Sequence, residues 1–183
     1  MTVQVKFTYE DYLLFPDDGR RHELIDGEHF MTPAPSIKHQ QISMNLSRTL
    51  SNYLAIRRTG RVYAAPCDVV LSDTDVVQPD LLVALSGSAS IITDRNVRGT
   101  PDLLIEILSE NTRKTDEIIK RKLYERYGVP EYWIVDPELE TVKVYRMTPQ
   151  GYNRVAELSH EAIDTLCTPL LPDLSIPLID LFE

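Results

Sequence analysis

Apolar residues recur along this chain with two different periods, and the changes between them mark out the elements. "SIKHQQISMNLSRTLSNYLAIRR" opens with a capping Ser36 and carries Ile42, Leu46, Leu50, Tyr53 and Leu54 at helical spacing, which predicts a long amphipathic helix. "TDEIIKRKLYERYGV" predicts a second helix, closed by Gly128, with Ile119, Leu123 and Tyr127 as its buried row. "TYEDYLLF" adds a short N-terminal helix with Thr8 as cap and Asp11 in the first turn. "HELIDGEHFM" alternates on either side of Asp26-Gly27, the signature of a two-residue hairpin. "RVYAAPCDVVLS", "VVQPDLLVAL" and "PDLLIEILS" read as strands, the last two apolar enough to lie inside a sheet. "EYWIVD", "TVKVYRM" and "YNRVAEL" follow as strands joined by the turns "PELE" and "TPQG", and the Pro-punctuated tail "TPLLPDLSIPLIDLF" should pack as short pieces. The order predicts an α/β fold with a central mixed β-sheet flanked by helices, built as a single domain over residues 1–183.

Composition narrows the setting. A chain of 183 residues can bury a core without disulfide or metal staples. There is no run of about 18 apolar residues and no basic-then-apolar leader, so the expected location is the cytoplasm, away from membranes. Cys67 and Cys167 have no partner spacing and read as buried free thiols. The net charge of -9 argues against a protein that coats nucleic acid generally. That average hides a segment from His29 to Cys67 with no acid but with Lys38, Arg48, Arg57, Arg58 and Arg61, so one face could still meet a polyanion.

The costly residues are the carboxylates. Asp80 enters one interior strand behind Pro79, and Glu106 stands inside another between Ile105 and Ile107. An unpaired carboxylate in an interior strand is expensive, so Glu106 must meet a cation, a donor or a wet cleft. If the two strands are neighbours, the two carboxylates converge, and a divalent cation would relieve their repulsion. An oxygen-only site favours Mg²⁺ or Mn²⁺, here held by Asp80, Glu106 and the backbone carbonyl of Ile107. Asp116, Lys120 and Tyr124 fall on one stripe of the following helix, and Lys120 is the candidate cation for orienting an attacking water. Asp102, which spells a second "PD", reads as a strand cap.

"HELIDGE", "VVQPDLLV", "LLIEILSENTRKTDEIIKRKLY" and "GVPEYWIVDP" together resemble the Uma family of restriction-type endonucleases, a branch of the PD-(D/E)XK nuclease superfamily. The resemblance runs from about residue 8 to the C-terminus and implies a restriction-endonuclease-like fold. It implies that Asp80 is the PD aspartate, Glu106 the acid of the ExK element, and Glu23 an upstream acid beside the metal or the lysine. Leu108 stands where the superfamily pattern has its lysine, which implies that Lys120, and less favourably Lys122, replaces it from the helix. Glu23 could instead pair with Arg20 or Arg21 across the hairpin. Lys38, His39, Arg48 and Tyr124 are the candidate substrate contacts, and the resemblance implies a homodimer.

The expected function is metal-dependent hydrolysis of phosphodiester bonds in DNA. Two other classes fit the same residues: a catalytically silent nuclease-like module for binding or assembly, and a metal-dependent hydrolase of a small phosphorylated substrate, which suits the acidic charge.

Overall fold

The structure, a computed structural model, describes residues 5–183. Met1–Gln4, where a leader would begin, lie outside the described residues. The elements are α1 (Tyr9–Tyr12), β1 (Arg21–Ile25), β2 (Glu28–Thr32), α2 (Ile37–Arg57), β3 (Gly60–Ala64), β4 (Val69–Ser72), β5 (Asp75–Val77) and β6 (Leu81–Leu85). After these come β7 (Val97–Arg98), β8 (Leu103–Ile107), α3 (Arg121–Arg126), β9 (Glu131–Asp136), β10 (Thr141–Thr148), β11 (Gly151–Ser159), β12 (Thr165–Thr168), β13 (Leu171–Pro177) and α4 (Leu178–Phe182).

The strands form a six-stranded sheet in the order β11-β10-β9-β8-β6-β3, a five-stranded sheet in the order β2-β1-β5-β4-β7, and a ribbon of β12 and β13. Both larger sheets are mixed: β8 and β9 run parallel, as do β4 and β7, among antiparallel neighbours. One face of the six-stranded sheet packs Leu81, Val83, Ile105 and Trp133 under Ile42, Leu46, Leu50 and Leu54 of α2 and under α4. The other face packs Leu82, Leu104 and Tyr132 against Leu123 and Tyr124 of α3 and against Ile25, Val69 and Val77 of the smaller sheet. Alternation along each strand sends successive side chains to these two cores.

The hairpin forms as predicted, with Asp26 at φ 53° and Gly27 at φ 74°, the paired left-handed geometry of a tight two-residue turn. The space beside Gly27 is also closed, since an added Cβ would lie 2.7 Å from Cβ of Lys6.

Two predicted strands are in fact broken, each at a proline. "RVYAAPCDVVLS" divides into β3 and β4, and "VVQPDLLVAL" into β5 and β6, and in both cases the halves belong to different sheets. Proline cannot donate to a ladder and steers the preceding residue to extended backbone, so the chain leaves one sheet there and enters the other. The crossing at Pro79 leaves Gln78 and Asp80 in the seam between the sheets.

The helix after β8 also differs from its periodicity. Thr115–Lys120 is wound as a π-helix before α3 begins, and the fully enclosed side chains are Asp116, Lys120, Leu123 and Tyr124, while Ile119 and Tyr127 are only half-buried. Wider turns of this kind concentrate at functional positions. The thiols differ too: Cys67 is half-buried and Cys167 exposed.

Candidate active site

β6 and β8 are antiparallel neighbours, with Leu81 opposite Ile105 and Val83 opposite Leu103. One further step of that register sets Asp80 across from Glu106, and directly opposed residues share a face. This is the face covered by α3 and the smaller sheet. β1 enters from that smaller sheet and alternates Arg21, Glu23 and Ile25 toward the same seam.

Asp80 is 4% exposed and meets three donors, one at Oδ1 and two at Oδ2. Its Oδ1 accepts from a guanidinium N–H of Arg21 at 2.7 Å. Its Oδ2 accepts from the backbone N–H of Ile107 at 2.8 Å and lies 3.1 Å from Nε2 of His39. Burial pushes this carboxyl up, but His39, Arg21 and the Ile107 N–H outweigh it and hold the group below the usual carboxylate range.

Lys120 is the hub of the other half. Its Nζ lies 2.8 Å from Oε1 of Glu23, 3.0 Å from Oε1 of Glu106 and 3.5 Å from Oδ1 of Asp116. Burial opposes the ammonium, but these three carboxyl groups hold its pKa well above the ordinary lysine value. Glu106 is raised well above its own, first by burial and then by Asp116, Asp80 and Glu23, against which the one ammonium is insufficient. Tyr124 donates its hydroxyl to the same Glu106 oxygen at 2.8 Å. Glu23 also accepts from the backbone N–H of Gln78 at 2.7 Å, so its partners are Lys120 and Gln78 rather than Arg20 or Arg21.

Asp80, Glu106, Asp116, Lys120, His39 and Arg21 line one cavity of about 180 Å³, together with residues 32–36 and with Ser109, Asn111 and Thr112. A larger cavity of about 760 Å³ runs along β3, but no acidic side chain lines it. The small cavity is therefore the one with chemistry. Lys38 stands outside it, ion-paired with Glu140 at 2.7 Å, and Arg48 bonds Asn45 farther along α2. Tyr124 is fully buried beneath Glu106, where it supports a carboxylate and does not face the cavity. Lys122 points to solvent. Asp102 accepts from Leu85 N–H at 2.7 Å and the Ser88 hydroxyl at 3.0 Å, a strand cap as its place in the sequence suggests.

Three residues of the site escape sequence reasoning. Arg21 reads there only as a hairpin counter-ion, yet it grips Asp80. Asp116 falls on the helix stripe with no role attached to it. Gln78 carries no signal, being one amide in an apolar run.

The set suits a divalent cation by charge and donor type. Glu23, Asp80, Glu106 and Asp116 face only Arg21 and Lys120 as permanent cations, which leaves an excess of two negative charges if all four ionise. Among the described residues no three His, Cys, Asp or Glu side chains form a ready cation cage. One or two carboxylates with water completing the shell is the ordinary manner of binding Mg²⁺.

The sequence profile of the Uma2 family, described as "Putative restriction endonuclease", matches residues 9–179. The chain belongs to this family. Its fold is also that of a solved structure titled a "putative nuclease belonging to DUF820" from Anabaena variabilis ATCC 29413, which is 22% identical, covers 96% of this chain and 97% of its own, and superposes with a TM-score of 0.80. Among curated proteins none matches. The Uma2 assignment agrees with the resemblance carried by "VVQPDLLV" and "GVPEYWIVDP". In this Uma2 chain no helix of the described residues is long and apolar enough to cross a membrane.

Proposed function

We propose that this Uma2 protein is a divalent-metal-dependent endonuclease that hydrolyses phosphodiester bonds in DNA. The observation that carries this reading is the convergence of Asp80, Glu106 and Lys120 on one small cavity, from two paired strands and the helix that follows them. Asp80 and Glu106 would hold Mg²⁺ or Mn²⁺, with the Ile107 carbonyl as the further oxygen. When bound, such an ion supplies Lewis-acid stabilisation of the phosphoryl charge and a more acidic water.

The chain's own residues do the rest. In hydrolysis the water oxygen bonds to phosphorus, the ester P–O bond breaks, and the leaving oxygen takes a proton. Lys120 would release its long contact with Asp116 and turn that N–H toward the water or a phosphoryl oxygen. Glu23 and Tyr124 keep Lys120 and Glu106 in place while this happens. Arg21 fixes the Asp80 carboxylate from the hairpin. A homodimer would bring two such cavities to one duplex.

The test is nicking of supercoiled plasmid in Mn²⁺ or Mg²⁺ by the parent and by Asp80→Asn, Glu106→Gln and Lys120→Met. Metal-dependent nicking lost in all three variants supports the reading, and nicking retained in Asp80→Asn overturns the site. A second reading, hydrolysis of a small phosphodiester, is favoured by the cavity's small size and by the distance of Lys38 and Arg48 from it. Turnover of bis(p-nitrophenyl) phosphate without plasmid nicking would select it.

A further inference from the structure

Among the described residues, two buried side-chain polar atoms lack a hydrogen-bond partner: Nδ1 of His39 and Oε1 of Gln78. Both residues belong to the wall of the small cavity. The large majority of buried side-chain polar atoms have a partner, so two orphans on residues of one cavity wall point to what that cavity takes.

The chemistry of the Gln78 atom can be fixed from its neighbours. The Gln78 amide nitrogen lies 2.9 Å from Oδ1 of Asp68 and 3.0 Å from the Tyr12 hydroxyl oxygen. A flipped amide would set its oxygen against the Asp68 carboxylate, so the orphan is the carbonyl oxygen, an acceptor. Nε2 of His39 lies 3.1 Å from Oδ2 of Asp80, and its Nδ1 is left without a partner. The Gln78 orphan is therefore an acceptor, in a cavity whose carboxylates are acceptors as well. A bare phosphate oxygen has nothing to offer them. A ligand that brings O–H donors on a positive centre satisfies all of these groups together.

We infer that Gln78 is a positioning residue for a hydrated divalent cation, its carbonyl oxygen accepting a hydrogen bond from water that the ion carries. This rests on the metal-dependent reading above and deepens it. Mg²⁺ dehydrates reluctantly and keeps several waters when only one or two carboxylates hold it. Asp80 and Glu106 provide those carboxylates, and Gln78 sets the direction of the water shell. His39 steadies Asp80 through Nε2.

The experiment measures Mn²⁺ binding to the whole protein by calorimetry and by water-proton relaxation, for the parent, Gln78→Met, Tyr12→Phe and Asp80→Asn. Gln78→Met removes the acceptor at nearly constant volume and should weaken Mn²⁺ roughly tenfold to a hundredfold, as removal of an outer-shell partner does. Tyr12→Phe removes one of the two acceptors facing the Gln78 amide nitrogen, leaves Asp68 to hold the amide's orientation, and should bind like the parent. If Gln78→Met melts below the parent in EDTA, Gln78→Asn withdraws the same amide by one methylene and should show the same weakening. An unchanged Mn²⁺ affinity in the Gln78 variants, or equal weakening by Tyr12→Phe, overturns the inference while loss of binding in Asp80→Asn leaves the metal site standing. Parent-like binding in Asp80→Asn overturns the metal-dependent reading itself.

Discussion

Tyr124 and Lys120 converge on a single oxygen of Glu106, the hydroxyl at 2.8 Å and the ammonium at 3.0 Å. They lie one turn apart on the same stripe, so the strand carboxylate is held by the helix alone on that side. Tyr124→Phe removes one donor without changing the packed ring. Metal-dependent nicking should fall about tenfold to a hundredfold, and unfolding in urea should show a loss of about 1–3 kcal/mol for the buried acceptor left short of a partner. Parent-like activity in this variant would detach Tyr124 from the site.

Lys120 touches three buried carboxyl groups, so removing it does more than remove a catalytic group. Lys120→Ala should abolish nicking and also cost about 3–5 kcal/mol of stability, the penalty for stranding buried charges. Its sequence context alone, a lysine on a helix, suggests that folding would be nearly untouched. Saturating Mg²⁺ should return part of that stability, because it supplies positive charge to the same carboxylates. Lys122→Ala, on the exposed face, should match the parent in both measurements.

Asp116 predicts a pH dependence of stability without divalent ions. Burial raises its pKa to about 6, with Lys120 and Thr112 opposing and Glu23 and Asp80 adding to the rise. Unfolded, the group titrates in the ordinary range near 3.8. Between those values the folded protein binds more protons, so this contribution is full below the lower value and is lost as pH rises through about 6. Asp116→Asn should flatten that limb of the stability profile and raise the melting temperature at pH 7. An unaltered profile would remove Asp116 from the charge cluster.

Lys38 and Arg48 test where a duplex would lie. Only the first turn of α2, through Ser36 and His39, reaches the cavity, while both bases stand beyond it. The double variant with Lys38 and Arg48 changed to Gln should keep its affinity for Ca²⁺. Taking away one phosphate-binding cation lowers the slope of log affinity against log salt by about 0.9. A slope for duplex binding reduced by up to roughly two such steps identifies α2 as part of the substrate path. An unchanged slope would favour the small-phosphodiester reading.

Much of this arrangement is legible in the sequence because local rules dictate it. Ser36 and the spacing from Ile42 to Leu54 define α2, Asp26-Gly27 defines the hairpin, and a carboxylate inside "LLIEIL" demands a partner. What escapes is set by tertiary context. Pro79 and Pro66 announce a break but not the sheet the chain enters next. Hydrophobic periodicity turns Ile119 and Tyr127 inward, whereas the ion cluster and the wide turn at Thr115–Lys120 bury Asp116 and Lys120 instead. Arg21 lies 59 positions from Asp80, a pairing that no local pattern expresses.

The crossing at Pro79 has a mechanical meaning. Glu23 rides on one sheet and Glu106 on the other, and Lys120 bolts them together across the seam. Any shear of one sheet over the other lengthens at least one of its ion pairs. A change deep in the smaller sheet, far from the cavity, would therefore be felt there as misalignment, and the joint that lets two sheets act as one body is the same cluster on which the chemistry depends.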